Sequence, residues 1–444
     1  MTRQQNKTYA FGMKMEFYPN HRQRKYLLDN IHTSRFIYNQ LVANSYTDGR
    51  IAKLNRQYPI PETYWQYNQR HKLIKLSTKR LTGLRRVLNR RPDWMNHLVL
   101  DSDMFNNTEK QYQAAWNMFR KVHTAGTPNF KKRNTSSWSF TTSNHYAICS
   151  LQRRGEYPTI YNGSIRFVDA QHLYAGQRLG TLKLHYGQSL PKQRHLRITN
   201  VTFRYEKDGH WFVSVLFKSL TPFKHPLKPT GKVLGIDLNT SNFLTDSNSL
   251  KIANPRYYRH AEKRLAQLQR TLSRRQRRAK KEGRSLTDSK NYQKQRQQIA
   301  RLYRHIRNQR RNFTNLISTA LIKNHDLVVS EDLRSKNLLK NHVLTKSISD
   351  IGWRQLIEQL RYKAILYGRT YILVNPAYTT QTCHDCGYRM GSDERSHKLT
   401  LGDRYWICPQ CHRLHVRDWN AAKNILSKGL SKYYQAPLQT ENVY

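Results

Sequence analysis

Acidic residues are few in this chain: 28 Asp or Glu stand against 78 Lys or Arg in 444 residues, a formal net charge of +50. Solubility needs far less, and a chain that repels itself this strongly suits a polyanionic partner, nucleic acid before any other. Long apolar runs are absent as well. No stretch approaches the roughly 20 residues of a membrane span. The opening MTRQQNKTYAFGMKMEF holds no apolar core of signal-peptide length, so no membrane partner is expected and the protein is placed in the cytoplasm. Cysteine is scarce: five residues, four of them in two Cys-x-x-Cys pairs late in the chain, a pattern of metal binding rather than of a disulfide framework. The fifth, Cys149 in HYAICS, reads as a small core residue. What is present is enough apolar residue, 37%, for a sizeable core, and enough length for two or more domains. An 11% aromatic content, with apolar strands that end in acids, sets the chain apart from ribosomal or chromatin-like basic proteins.

Residues 13 to 18 (MKMEFY) alternate as a strand, and Leu27, Ile31, Ile37, Leu41 and Val42 follow at helical spacing. Basic helical segments continue to about residue 125, broken by YPIPETY and RRPDW. After PNFKKR the period becomes two. Val201, Phe203 and Tyr205 form one arm and Trp211, Val213, Val215 and Phe217 the other, with Asp208-Gly209 as a hairpin turn between them. With SWSFTT and SIRFVD this predicts a small antiparallel barrel or sandwich, to which the first strand can return. TPFKHPLKPTGK reads as a linker. Beyond it come the apolar strand Val233 to Leu238, a second short strand, a helical hairpin turning at Gly283, and the strand Leu327 to Glu331. A polar loop, the amphipathic helix SDIGWRQLIEQLRYKAILYG and the strand TYILVNP follow, an alternation typical of an α/β domain. The last fifteen or so residues form a polar tail.

In the helical hairpin, Tyr258, Ala261, Leu265, Leu268 and Leu272, then Ile299, Leu302 and Ile306, then Phe313, Leu316 and Ala320, mark an apolar seam. Between Arg256 and Arg311 twenty Lys or Arg accompany three acids, Glu262, Glu282 and Asp288. A solvated face mixes its signs. This stretch, with Arg274, Arg275, Arg277 and Arg278, is therefore read as nucleic-acid-binding.

Two signals carry chemistry. The more specific is Cys383-His384-Asp385-Cys386, 21 intervening residues, and Cys408-Pro409-Gln410-Cys411. Two such knuckles suit one tetrahedral zinc held by Cys383, Cys386, Cys408 and Cys411; four thiolates leave no open position, so the zinc is structural. His384, His397, His412 and His415 lie nearby as substitutes for a cysteine, and four available thiolates make them unnecessary. The second signal is acids at the ends of apolar strands, where a carboxylate is costly unless something cationic holds it. Asp237 and Glu331 fit, although a lone acid at a strand end is more often a cap or an ion-pair partner. Asp418 opens the helix RDWNAAKNIL, where an N-terminal cap is the plainer reading. Taken in order, strand acid, strand acid and helix acid form the ribonuclease-H arrangement. Three such carboxylates can hold two divalent ions about 4 Å apart for in-line phosphodiester cleavage, and oxygen-only ligands favour Mg2+ or Mn2+. Asp332 adjoins Glu331, but strand alternation puts Leu327, Val329 and Glu331 on one side, which favours Glu331.

With these residues the chain resembles the TnpB family, the nucleases encoded by IS200/IS605-type transposons and related to the single-protein type V CRISPR effectors. The resemblance rests on GIDL around Asp237 with ANPRYYR downstream, VVSEDL around Glu331, LRYKA, NPAYTTQTCHDCG and RDWNAAKNI. Toward the amino end it rests on Tyr18-Pro19, Gln23, Arg35-Phe36-Ile37-Tyr38-Asn39 and Pro128-Asn129-Phe130-Lys131. It spans nearly the whole chain. It implies a multidomain α+β protein: a wedge β-barrel (1–30 plus 128–225), a helical recognition lobe (31–127), and a RuvC/RNase H-like α/β nuclease domain (226–430). A zinc ribbon (378–415) is inserted in the last, and a polar tail (431–444) follows. It also implies an RNA guide, target DNA beside a short transposon-adjacent motif, and a prokaryotic, nucleoid-associated protein acting as a monomer with its RNA. The chain departs from the family pattern at His412, where Gly is common, at Val416, where Asp is common, and at Asn239, where Gly is frequent after GIDL.

The leading expectation is thus an RNA-guided, metal-dependent DNA endonuclease cutting through Asp237, Glu331 and Asp418. A guided repressor would be expected to have lost one or more of these acids. A transposase acting directly on transposon ends would share the carboxylates and need no RNA. A type V CRISPR effector is the nearest variant, and the compact length leans away from it.

Overall fold

The computed structural model describes residues 8–47, 84–89, 91–132, 138–185, 189–193, 195–224, 226–239, 242–333, 352–400 and 402–435. The YPIPETY break, nearly all of the polar loop after Glu331 and most of the polar tail lie outside the described residues. The chain divides into two compact units, Met1–Phe223 and Lys224–Tyr444.

In the first unit β1 (Tyr9–Phe17) runs straight into helix α1 (His21–Thr47). Asn20 and Gln23 make a reciprocal box at the helix start: the Asn20 carboxamide accepts from Gln23 N (2.9 Å) and the Gln23 carboxamide from Asn20 N (3.0 Å). Helices α2 (Leu84–Asn89), α3 (Asp93–Asn96) and α4 (Ser102–Lys121) follow. Asp101 caps α4 by accepting from Met104 N. α4 buries Met104, Tyr112, Trp116 and Phe119. Asn39 receives the Lys131 amide on its Oδ1 (2.8 Å) and donates to the Lys131 carbonyl (3.2 Å), so two stretches that carry the family resemblance are docked on each other.

β2 (Trp138–Ser143), helix α5 (Ile148–Arg153), β3 (Ile165–Phe167), β4 (His172–Ala175), helix α6 (Gly176–Leu179) and β5 (Thr181–Lys183) lead to the hairpin of β6 (Arg197–Tyr205) and β7 (Trp211–Ser219). Its turn holds Gly209 at φ +93°, a left-handed conformation that suits glycine. Two antiparallel sheets result, in the orders β1-β7-β6-β2 and β3-β4-β5. All nine residues of β1 pair with β7, from Tyr9 with Ser219 to Phe17 with Trp211. The inward faces supply Val201, Phe203, Trp211, Val213, Val215 and Phe217, all buried, as the period-two reading requires. Cys149 is exposed, contrary to the sequence expectation, because it sits on the outer side of the short α5.

The second unit opens with β8 (Val233–Asp237), β9 (Leu244–Asp246) and β10 (Lys251–Ile252), joined antiparallel. Helices α7 (Tyr257–Lys281) and α8 (Lys290–Asn324) form the hairpin, with Gly283 at φ +65° between them. β11 (Leu327–Glu331), α9 (Trp353–Tyr367) and β12 (Thr370–Val374) complete a five-stranded sheet. Its order is β10-β9-β8-β11-β12, and β11 is parallel to both β8 and β12. The small hairpin β13 (Tyr405–Ile407) and β14 (Leu414–Val416) leads into helix α10 (Arg417–Gln435).

The sheet is covered on both faces. Leu234, Ile236 and Val328 pack with Ile322, Leu356 and Leu360 of α8 and α9. Leu327, Val329 and Val374 pack with Ile425 of α10.

The predicted seam is accurate at Leu265 and Ile306, which are buried, and wrong at the carboxyl end of α8. Leu316 is 62% exposed, while Thr314, Ser318 and Ile322 are fully buried. The reason is a polar contact that no apolar periodicity signals. Lys363, 4% exposed on α9, donates to the Asn315 carbonyl and carboxamide and to the Ser318 and Thr319 hydroxyls at 2.7–2.8 Å. Those partners rotate α8 so that its small polar face, not Leu316, meets α9.

Candidate functional site

The second unit brings the three acids to one side of its sheet. Residues 234, 236 and 328 point to the α8–α9 face, so alternation directs Gly235, Asp237 and Glu331 to the face that α10 covers. Two glycines set how closely that helix lies. A Cβ on Gly235 would stand 2.3 Å from the Ala422 carbonyl oxygen and 2.7 Å from Leu426 Cβ; one on Gly429 would stand 2.4 Å from Val329 Cγ2. α10 thus lies directly on β8 and β11, with Asp418 in its first turn. Trp419 pins that turn by donating Nε1 to the Ser247 carbonyl at 2.9 Å.

Asp237 is 5% exposed. Burial first, then the charges of Glu331 and Asp418, push its carboxyl up to about 8. The Asn239 carboxamide donates to Asp237 Oδ2 at 3.3 Å and to Thr245 Oγ1 at 3.2 Å. Glu331 is 7% exposed, whereas Asp332 is exposed and turned away. Burial raises the Glu331 carboxyl, opposed by the Thr379 hydroxyl that donates to it and by the charge of Lys428. Asp418 accepts from Arg417 Nη2 at 3.3 Å. Two buried carboxyls held above their ordinary range, with a third acid adding repulsion, make a donor set short of positive charge, and this set fits divalent cations. Ligands of a two-ion site bracket ions about 4 Å apart, so they need not gather within reach of a single ion.

The cysteines do gather. Cys383, Cys386, Cys408 and Cys411 are all free, and among the described residues they are the one group of His, Cys, Asp or Glu that is close enough to hold a single metal. Cys383 Sγ lies 3.7 Å from Cys411 Sγ, and Cys386 Sγ 3.5 Å from Cys408 Sγ. A tetrahedron with Zn–S of about 2.3 Å has edges of about 3.8 Å, so the cluster fits zinc. Burial pushes the Cys383 thiol up to about 12, and a cation beside it would reverse that. His415 takes no cysteine's place; its Nε2 lies 3.1 Å from Cys383 Sγ as a hydrogen-bond partner. His412 occupies the turn after Cys411 at φ +56°, a left-handed conformation that explains why glycine suits that position.

Knuckle and helix are tied together. The Asn420 carboxamide accepts from His384 N at 2.9 Å and donates to the Thr382 carbonyl, and Asn424 donates to the Thr379 and Thr382 carbonyls. Thr379 is the residue whose hydroxyl meets Glu331. The sequence does not mark Thr379 and Arg417 as carboxylate neighbours, and it shows Asn239 only as a departure from the family pattern; contacts of this kind have no period. Asp246, buried on β9, is equally inconspicuous there. Its Oδ1 accepts from Asn248 N and Leu250 N, so it shapes a turn.

Arg274, Arg277 and Arg278 are exposed on α7 and Arg275 is half-buried, its guanidinium donating to the Asn291 carbonyl at 2.6 Å. Among the described residues no helix is long and apolar enough to cross a membrane.

Three family models match successive parts of the chain. They are a "Helix-turn-helix domain" of the OrfB/IS605 group over residues 10–46, here a strand and one helix, a "Probable transposase" of that group over 203–342, and a "Cas12f1-like, TNB domain" over 353–425. A curated protein of Streptomyces pristinaespiralis, named "Putative RNA-guided DNA endonuclease", is 37% identical over 234 residues, 52% of this chain and 53% of that protein. A "TnpB-like protein" of Methanocaldococcus jannaschii is 31% identical over 134 residues, 30% of this chain and 29% of its own. Along these stretches the chain is similar to the TnpB family. The chain spans about half the length of the Streptomyces relative. Among solved structures, one titled as a Cas12f1–sgRNA–target DNA complex covers 95% of the chain and 99% of its own at 13% identity and a TM-score of 0.45, a likeness too low to bear on the site.

Proposed function

We propose that this chain is an RNA-guided, metal-dependent DNA endonuclease of the TnpB family whose cutting centre is Asp237, Glu331 and Asp418. The observation that carries the reading is the convergence of these acids at the face of β8 and β11 covered by α10, with Asp237 raised by the other two charges. Three antiparallel strands extended by two parallel ones, with an acid on the first, an acid on the fourth and an acid on a helix packed against both, support a RuvC/RNase H-like assignment for the second unit. In the first unit, the two antiparallel sheets and the start of α1 would form the wedge (1–30 plus 128–225), and the rest of α1 with α2 to α4 the recognition lobe (31–127).

The three carboxylates would hold Mg2+ or Mn2+, which when bound supplies activation of a water and stabilisation of the leaving oxygen in phosphodiester hydrolysis. The chain's own residues set the stage for it. Asn239, Thr379 and Arg417 orient one carboxylate each, and apolar packing beneath excludes bulk water from Asp237. The four cysteines would hold one structural Zn2+ in the ribbon. The cationic outside of α7 and α8 suits the phosphates of guide and target. Because the matched relatives are covered only in part, the guide RNA and the target DNA are part of this proposal.

The test begins with purification from cells that also transcribe the native flanking DNA, followed by sequencing of bound RNA. A defined RNA species is expected, and its absence overturns the guided reading. With that RNA and Mg2+ the protein should cut a matched plasmid, and Asp237→Ala should abolish cutting while RNA binding persists. Cutting retained by that variant would refute the triad.

A further inference from the structure

The tip of the α7–α8 hairpin forms a half-open cavity of about 710 Å³ lined by Arg275, Arg278, Arg284, Lys290, Lys294 and Tyr292, among others. It lies at the far end of the hairpin from the sheet, and nothing in the carboxylate chemistry uses it. Five of the lining residues are cations. The acids nearby do not neutralise them: Glu282 is shared by Arg278 and Arg284, and Asp288 is the only acid among the described lining residues. Lys290 and Lys294 are exposed and have no acidic partner among the described residues. Arg275 is held by its bond to the Asn291 carbonyl across the hairpin, so one guanidinium is pre-positioned on the wall. The 35-residue helix α8 also begins here, its first amides adding partial positive charge.

Shape narrows the ligand further. A site of this volume is of the size that takes a small molecule or a single splayed nucleotide, whereas a duplex needs an extended channel. Tyr292 on the wall is half-buried and supplies an aromatic face beside the cations. Cations that track phosphates, with an aromatic ring on which a base stacks, form the combination by which unpaired nucleic acid is held.

We infer that this cavity binds an unpaired nucleotide of a nucleic-acid strand, its phosphates on Arg284, Lys290 and Lys294 and its base against Tyr292. The inference rests on the reading that the chain handles nucleic acid. Phosphodiester is the shared chemistry of RNA and DNA, and the experiment separates the two.

Affinity of the full-length protein for single-stranded RNA, single-stranded DNA and duplex DNA oligonucleotides is measured by fluorescence anisotropy over a range of salt. Lys290→Gln with Lys294→Gln should weaken single-strand binding and lower the slope of log K against log salt by about 0.7 for each phosphate no longer neutralised. Tyr292→Leu should weaken single-strand binding at least about five-fold with the slope unchanged, and Tyr292→Phe should bind as the parent does. Whichever strand type loses affinity names the source. Melting temperature checks that each variant is folded and so separates stacking from a packing role, while the Phe variant separates the ring from its hydroxyl. If the parent binds and the variants bind single strands equally well, or lose duplex binding in equal measure, the cavity proposal is overturned while the nuclease reading stands. A parent that binds no nucleic acid overturns both, beginning with the nuclease reading.

Discussion

Replacing Gly235 by Ala adds one methyl group at the point where the whole assembly of the carboxylates depends on contact. The new carbon would stand 2.3 Å from the Ala422 carbonyl oxygen and 2.7 Å from Leu426 Cβ. These are atoms of the helix backbone and its stem, so no change of rotamer relieves the clash. Separation to an ordinary contact moves α10 off β8 by roughly 1 Å, and overpacking of this kind costs about 1–3 kcal/mol. For a unit of this size that is a fall in melting temperature of about 2–4 °C per kcal/mol. The same retreat carries Asp418 away from Asp237 and Glu331. A misplacement of about 1 Å at a reacting centre costs on the order of 100-fold in rate. Differential scanning fluorimetry and plasmid cleavage read the two effects, with Gly12→Ala as the control, since a Cβ there meets nothing within 4 Å. If Gly235→Ala melts and cuts like the parent protein, the close seating of α10 is not what positions the site.

Three further outcomes are expected. Asp237 titrates near 8 in the metal-free fold against an unfolded value of 3.8. The native state therefore binds the extra proton between those limits, and metal-free stability should fall as pH rises from about 4 to 8. Added Mg2+ should flatten that fall and bind more tightly at about pH 8.5 than at about pH 6, since protons compete with the cation for the same carboxylates; calorimetry in buffers of differing ionisation enthalpy should record proton release at the lower pH. His412→Gly should raise the stability of the ribbon by about 1 kcal/mol by relieving the left-handed residue, as chemical denaturation would show. Cys383→Ser, or removal of zinc by a chelator, should lower the melting temperature and the measured zinc content, and should weaken Mg2+ binding as well because His384, Asn420, Asn424 and Thr379 link knuckle to carboxylates.

Much of this architecture is legible in the sequence because it is periodic or punctuated. The β6–β7 hairpin announces itself through alternation around Asp208-Gly209, and the knuckles through their spacing. Alternation favours Glu331 over Asp332, and the structure buries the first and exposes the second. What is not legible has no period. Lys363 turns α8 through hydrogen bonds to hydroxyls and an amide, so Leu316 faces water where spacing predicts a seam. The roles of Gly235 and Gly429 depend on a helix far along the chain, and no local pattern reveals that their missing side chains make room for close packing. Asn239, which differs from the usual family residue, shares its amide nitrogen between Asp237 and Thr245 on the next strand while its oxygen accepts from Asn242 N, and no local pattern reveals that arrangement.

The seating of α10 on β8 also has a consequence in time. Asp237 leaves the ribosome 181 residues before Asp418. At about 5–20 residues per second, that interval is some tens of seconds or less. For the last 87 residues of it the nascent sheet has two of its acids and no third. The contact between them is among the most distant in sequence that the second unit makes, and such contacts form late. A partly made chain would already expose its cationic hairpin to nucleic acid while lacking the residue that completes the proposed cutting centre. Capture of a strand would come before the means to sever it.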